Sequence, residues 1–169
     1  IEAPETDGSY DKRVVSIIEN TLKEFKISAI GIGPGIGSIK DSQAFYDGFI
    51  HIINRIEIPL LVDADALEPI YQRMLKISNK NNRVVFTPHP KEFLRMINKK
   101  SLLNVKEAVT TAAKNINQTI VYKSHASIVV NSESFWETTT GNSALATAGS
   151  GDVLSGIIGV ATLSFMLTL

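Results

Sequence analysis

Residues 59–87 read PLLVDADALEPIYQRMLKISNKNNRVVFT. Two apolar runs, PLLVD at 59–63 and RVVFT at 83–87, flank residues 66–77, whose spacing reads as a helix. Strand, helix and strand at this interval make a βαβ unit, in which the two strands lie parallel and the helix crosses one face of the sheet. Both runs are continuously apolar instead of alternating with polar residues, the pattern of strands covered on both faces.

The same rhythm extends in both directions. Upstream, residues 11–25 (DKRVVSIIENTLKEF) place Val14, Ile17, Ile18, Leu22 and Phe25 on one helical face. A short apolar run at 27–33 ends in glycine, and residues 42–56 read as a second helix. Downstream, 90–97 and 102–116 read as helices and 119–123 (TIVYK) as a strand. Residues 127–130 and 134–139 then read as two short strands joined at 131–133, a hairpin signal. A glycine-spaced loop leads into residues 153–169, a helix without a single charge. The expected fold is therefore α/β and three-layered, a mainly parallel sheet with antiparallel edge strands, in one domain over residues 1–169.

Composition bounds the function. The 169 residues carry 17 Lys plus Arg against 17 Asp plus Glu, so no broad basic surface is available for nucleic acid or anionic lipid. There is no cysteine, which excludes disulfides, thiolate nucleophiles and zinc or iron–sulfur ligation by sulfur, and fits a reducing, cytoplasmic setting. Residues 1–10 show no apolar run of the kind found in a secretory signal. A 17-residue helix at 153–169 rises about 26 Å, short of a bilayer core of about 30 Å, and Ser155, Gly156, Gly159, Thr162 and Ser164 dilute it. We expect no membrane span there but a packed helix, covered by further polypeptide or by another subunit.

In open parallel sheets ligands bind beyond the carboxyl ends of the strands, and the informative residues sit there. The first strand ends in GIGPGIG at 31–37, where Gly35 and its neighbours let backbone approach a ligand. With Ile36 and Ser38 where a third glycine is required, this is not a dinucleotide fingerprint, and a tight turn explains it equally well. The second strand ends in Asp63-Ala-Asp65-Ala66. Asp65 suits a helix cap, whereas Asp63 at the end of a buried strand calls for a cation, a hydroxyl or a helix N-terminus. The third ends in TPHPKE at 87–92. Two prolines hold His89 and Glu92 near one another, and Glu92 is suited to hold water or Mg²⁺ near a phosphate or simply to favour a helix first turn. Lys123 ends the fourth strand, either neutralising phosphate or solvated.

The most informative stretch is TGNSALATAGSGD at 140–152, running straight into the apolar helix. Gly149, Ser150 and Gly151 set backbone N–H groups at a helix N-terminus, which is what holding an anion requires. Asp152 beside them is either an N-cap or a base that takes a proton from a hydroxyl attacking a phosphoryl group.

Taken in order, GIGPGIG, LVDADAL, FTPHPKEF, VYKS and TGNSALATAGSGDVLSGII resemble the motifs of the ribokinase-like superfamily, within it the ATP- or ADP-dependent NAD(P)H-hydrate dehydratases. The resemblance covers residues 28–160. It implies that Gly149, Ser150 and Gly151 form the anion hole for nucleotide phosphates and that Asp152 is the catalytic base. It implies Glu92 in the Mg²⁺ and phosphate region, with Gly35, Asp63, His89 and Asn142 lining the side of the hydrate. The implied cofactors are ATP or ADP and Mg²⁺, and the implied substrate is hydrated NADH or NADPH. Such a lyase phosphorylates the ring hydroxyl and then eliminates phosphate, a metabolite-repair reaction. A homo-oligomer and a fused or partner epimerase domain are further expectations.

The sequence departs from the family pattern in places. Ser124 stands where the family has glycine after the lysine; Ser143, Ala144 and Leu145 replace Pro-Gly-Met, Ala148 replaces glycine and Ser150 replaces threonine. The hydroxyl at 150 is kept. The family's N-terminal βα region and its later helices are not seen, so the expectation is of a domain truncated at both ends. A small-molecule kinase of the same superfamily, acting on a carbohydrate or hydroxyethylthiazole-like alcohol, and a non-catalytic nucleotide-binding domain stay open as alternatives.

Overall fold

The structure is a computed structural model, and it describes residues 5–6, 9–10, 12–36, 43–76, 83–138 and 149–166. Strands β1 (Glu5–Thr6) and β2 (Ser9–Tyr10) pair antiparallel in a two-residue hairpin that no sequence period announces. Helix α1 (Lys12–Glu24) follows, then β3 (Ile30–Ile32), α2 (Gln43–Ile53), β4 (Leu60–Val62), a 3₁₀ turn (Ala64–Ala66) and α3 (Leu67–Met74). After β5 (Val84–Phe86) come α4 (Pro90–Met96), α5 (Val105–Ile116), β6 (Thr119–Tyr122), β7 (Ile128–Val130), β8 (Phe135–Glu137) and α6 (Ser150–Met166).

Six strands form one sheet in the order β3-β4-β5-β6-β7-β8. The first four are parallel and the last two antiparallel, as the change of rhythm after Lys123 anticipates. Because the parallel strands follow one another in sequence order, successive right-handed crossovers carry their connecting helices to the same face. Side chains on that face are buried: Leu60, Val62, Val84, Phe86, Ile120, Tyr122, Ile128 and Val130. On the opposite face Leu61 is buried, while Val85, Val121 and Val129 are only half-buried. There α6 packs on β3 and β4 and supplies the third layer among the described residues.

One expectation is corrected. Coverage of both faces of the parallel strands is incomplete, since Val85 and Val121 are only half-buried on the second face. The antiparallel edge strand β8 exposes Phe135 and Trp136. In this chain alone α6 leaves Val153, Ile157 and Val160, spaced to share one helical face, 64%, 60% and 65% exposed. The helix also begins at Ser150, three residues before its uncharged run, because the glycine-rich turn enters it directly. Among the described residues no helix is long and apolar enough to cross a membrane.

Candidate active site at the strand ends

Strand β4 delivers Asp63 to the carboxyl end of the sheet. Its backbone is extended, with φ −136° and ψ 171°, and its N–H donates to the Ile32 carbonyl at 3.0 Å, prolonging the parallel ladder by one residue. Ala64 then turns the chain with φ 47°, a left-handed conformation unusual for alanine, and opens the 3₁₀ turn. Gly33 has φ +146°, and a β-carbon on it would lie on the Asp63 carbonyl, so the GIGPGIG turn reaches this close only as glycine. Thr87 closes the other side: its N–H and its Oγ1 both donate to the Val62 carbonyl, at 3.0 Å and 3.3 Å.

Asp63 is 4% exposed, and its carboxylate is satisfied by two donors from two other elements. Lys123 Nζ, at the end of β6, donates to Oδ1 at 2.8 Å, and Ser155 Oγ, in α6, donates to Oδ2 at 2.7 Å. Strand β6 is in turn tied to the β5 end, where the Lys123 N–H donates to the Pro88 carbonyl at 2.8 Å. Asp63 occupies the N-cap position of the 3₁₀ turn, yet its side chain makes no cap bond there. The capping reading of Asp65 does not hold either, since the N-cap of α3 is Ala66. Burial of this carboxylate is offset by an ammonium and a hydroxyl, one of the solutions its position demands.

The first turn of α6 lies against this pair. Gly149 has φ +83° and nothing within 4 Å of where a β-carbon would stand, and its carbonyl accepts from the Val153 N–H at 3.1 Å as the helix starts. A β-carbon at Gly151 would stand 3.7 Å from Lys123 Nζ, so the ammonium sits beside the helix N-terminus. An ammonium there faces the positive end of the helix dipole, and the Asp63 carboxylate compensates it. The backbone of Asp152 belongs to this first turn, while its side chain is not among those described. Asn142 lies outside the described residues. Gly35, with φ +74°, is exposed in the turn after β3.

His89 and Glu92 are neighbours, as the two prolines suggest, but they serve each other. His89 is the N-cap of α4: its Nδ1 accepts from the N–H groups of Lys91 and Glu92 at 3.1 and 3.2 Å. Glu92 Oε2 accepts from the His89 N–H at 2.7 Å, and Oε1 lies 3.4 Å from His89 Nε2. This is a reciprocal capping box with histidine in the place usually taken by serine or threonine. Among the described residues no three His, Asp or Glu side chains converge on a metal position.

The arrangement thus joins Asp63, expected on the hydrate side, to Lys123, expected on the phosphate side, and sets both beside Gly149–Gly151. Sequence reasoning named Gly33 only as one glycine of the turn, without its approach to Asp63, and missed Ser155. The signal for Ser155 was a hydroxyl one turn inside an uncharged helix, three residues beyond Asp152. Between α6 and strands β3 and β4 lies a cavity of about 270 Å³, lined by Gly31, Leu61, Gly156 and Gly159 among others, with Asp63 and Ser155 also in its wall.

A parallel sheet with antiparallel edge, whose strand ends meet a glycine-rich helix N-terminus, is the architecture of the ribokinase-like class. A ribokinase-like superfamily protein from Enterococcus faecalis has this fold: TM-score 0.65, 26% identity, over 88% of this chain and 51% of that one. The family model described as NAD(P)H-hydrate dehydratase matches residues 9–167, and the chain belongs to that family. The ADP/ATP-dependent NAD(P)H-hydrate dehydratase of Bacillus subtilis, co-crystallized with ATP/Mg²⁺, superposes with a TM-score of 0.64 at 27% identity over 88% of this chain and 60% of that one. The bifunctional NAD(P)H-hydrate repair enzyme Nnr of Gloeobacter violaceus is 34% identical over 135 residues, 79% of this chain. The chain spans 26% of the length of that relative and between half and three-fifths of the two solved structures.

Proposed function

We propose that this chain serves nucleotide-dependent dehydration of hydrated NADH or NADPH. The observation that carries the reading is the meeting of Asp63, Lys123 and the first turn of α6 at the carboxyl ends of the strands. In this reading Gly149, Ser150 and Gly151 receive the phosphates of ATP or ADP at the helix N-terminus, and Lys123 adds positive charge beside them. Asp152 takes the proton from the ring hydroxyl as its oxygen attacks the terminal phosphoryl group. Departure of inorganic phosphate with the C–O bonding pair, and loss of a ring proton, restores the dihydronicotinamide. Gly35, Asp63, His89 and Asn142 line the hydrate side.

The described residues do not fit a directly ligated Mg²⁺: the Glu92 carboxylate is engaged within its own turn, and among the described residues no three His, Asp or Glu side chains gather into a metal position. Glu92 is proposed to meet the ion only through water, with Mg²⁺ arriving on the nucleotide, and no step is derived through it. A cytoplasmic setting, a homo-oligomer and a fused or partner epimerase domain belong to the same proposal. The exposed Val153, Ile157 and Val160 support a covering partner surface.

The test supplies hydrated NADH with ATP or ADP and Mg²⁺ to a polypeptide carrying this chain and follows the reduced-nicotinamide absorbance. We expect the absorbance to return, and Asp152→Asn to abolish the return by 10²-fold or more, on the order of what general-base removal costs. A stable phosphate ester with an alcohol panel would identify a kinase instead. Nucleotide binding without either product would identify a binding domain.

A further inference from the structure

Ser155 is a polar group on the stretch of α6 that meets the strand ends, where it reaches the Asp63 carboxylate. The apolar residues Val153, Ile157 and Val160 face away from the sheet, and Gly156 and Gly159 line a cavity instead of filling it. At those two glycines there is no side chain to pack, whereas close-packed side chains are what set a helix's rotation and translation. The bond from Ser155 Oγ to Asp63 Oδ2 at 2.7 Å is directional and nearly buried at its acceptor end. It also fixes the plane of the carboxylate, so that Oδ1 is turned to Lys123. A lysine has a flexible four-carbon stem, and its ammonium is localised only by what it donates to.

We infer that Ser155 is a positioning residue: through Asp63 it holds the Lys123 ammonium against the first turn of α6, preset for an anion bound there. Ser155 itself touches no phosphate. The consequence for nucleotide affinity rests on the function proposed above, whereas the effect on the lysine does not, so the two are measured separately.

Ser155→Ala, Ser155→Thr and the near-isosteric Ser155→Cys, whose thiol is a weak donor, are compared with the unaltered chain. Without ligand, the labelling rate of Lys123 Nζ by limiting acetic anhydride is read by peptide mass spectrometry. Ser155→Ala and Ser155→Cys are expected to raise it several-fold, with Ser155→Thr at the original rate. Equal rates in all four proteins overturn the inference. Should Ser155→Ala fail to fold, Ser155→Cys carries the comparison. Titration with ADP then follows. Ser155→Ala and Ser155→Cys should each weaken binding several-fold, and neither should have any effect in a Lys123→Met background, because both would act through the same ammonium. Fully additive losses overturn positioning and leave ordinary packing. If the unaltered chain does not bind ADP, the phosphate reading falls, and the labelling rates still decide the role of Ser155.

Discussion

Gly33 shows how much of the site depends on a missing side chain. At φ +146°, with the Asp63 carbonyl in the space a β-carbon would need, alanine must distort either the turn or the strand end that carries Asp63. Gly33→Ala is expected to cost at least about 3 kcal/mol, combining backbone strain with displacement of buried main chain. Gly35→Ala serves as the control: at φ +74° with open space around it, only the left-handed penalty of about 1–2 kcal/mol applies. Urea unfolding of the two variants reads the difference, and equal midpoints would show that the close approach is not limiting. At this scale the sequence was legible as residue types. A buried-strand carboxylate needing a partner, a lysine ending a strand and glycines before a helix were all visible. Which groups satisfied one another was not: Asp63 and Lys123 are 60 residues apart, Asp63 and Ser155 are 92 apart, and only strand order and helix placement bring them together.

Among the elements, α4 makes the clearest case for a local design. It is seven residues long, too short to be stable from its own hydrogen bonds, and it is started by Pro90 at its first position and by the reciprocal His89–Glu92 cap. His89→Ala removes the acceptor for two N–H groups and is expected to destabilise by about 0.5–2 kcal/mol, while His89→Asn, an effective cap, recovers most of it. Chemical denaturation of the two variants measures this. If both lose turnover but only His89→Ala loses stability, the ring has a task at the hydrate beyond capping. Strands β3 to β7 and helices α1 to α5 were readable because continuous apolar runs and 3.6-residue periods differ strongly. The β1–β2 hairpin has two residues per strand and no period to read. The start of α3 was displaced because a left-handed Ala64, which no propensity favours, begins a 3₁₀ turn. For α6 an uncharged sequence does not say which of its faces has a neighbour within this chain.

On the scale of the whole molecule, the helix-covered face of the sheet holds the hydrophobic core, and its tyrosines connect that core to pH. Burial pushes the Tyr46 hydroxyl far above its ordinary value of 10.0, with the Asp65 charge adding and Arg73 opposing. Tyr71 and Tyr122 are raised as well, chiefly by burial, and they stack edge-on against Phe86 and Phe93 at 6.2 and 5.4 Å. In the unfolded chain each phenol ionises near pH 10, whereas in the folded chain it keeps its proton to higher pH. Above pH 10 the unfolded state therefore binds fewer protons than the native one, and stability must fall as pH rises. Below pH 10 both states hold the proton and the contribution is complete. Each such tyrosine adds a slope of up to about 1.4 kcal/mol per pH unit between its unfolded and folded values. Tyr46→Phe preserves the ring, which lies 5.2 Å from that of Phe45, and gives up a long hydroxyl contact of 3.4 Å to the Asp65 carbonyl. Its unfolding free energy is expected to match that of the unaltered chain within about 1 kcal/mol at pH 8 and to decline less steeply between pH 10 and 11. Parallel slopes for the two proteins would mean that the Tyr46 phenol ionises in the core as readily as in water, and that alkaline unfolding is driven from elsewhere on the molecule.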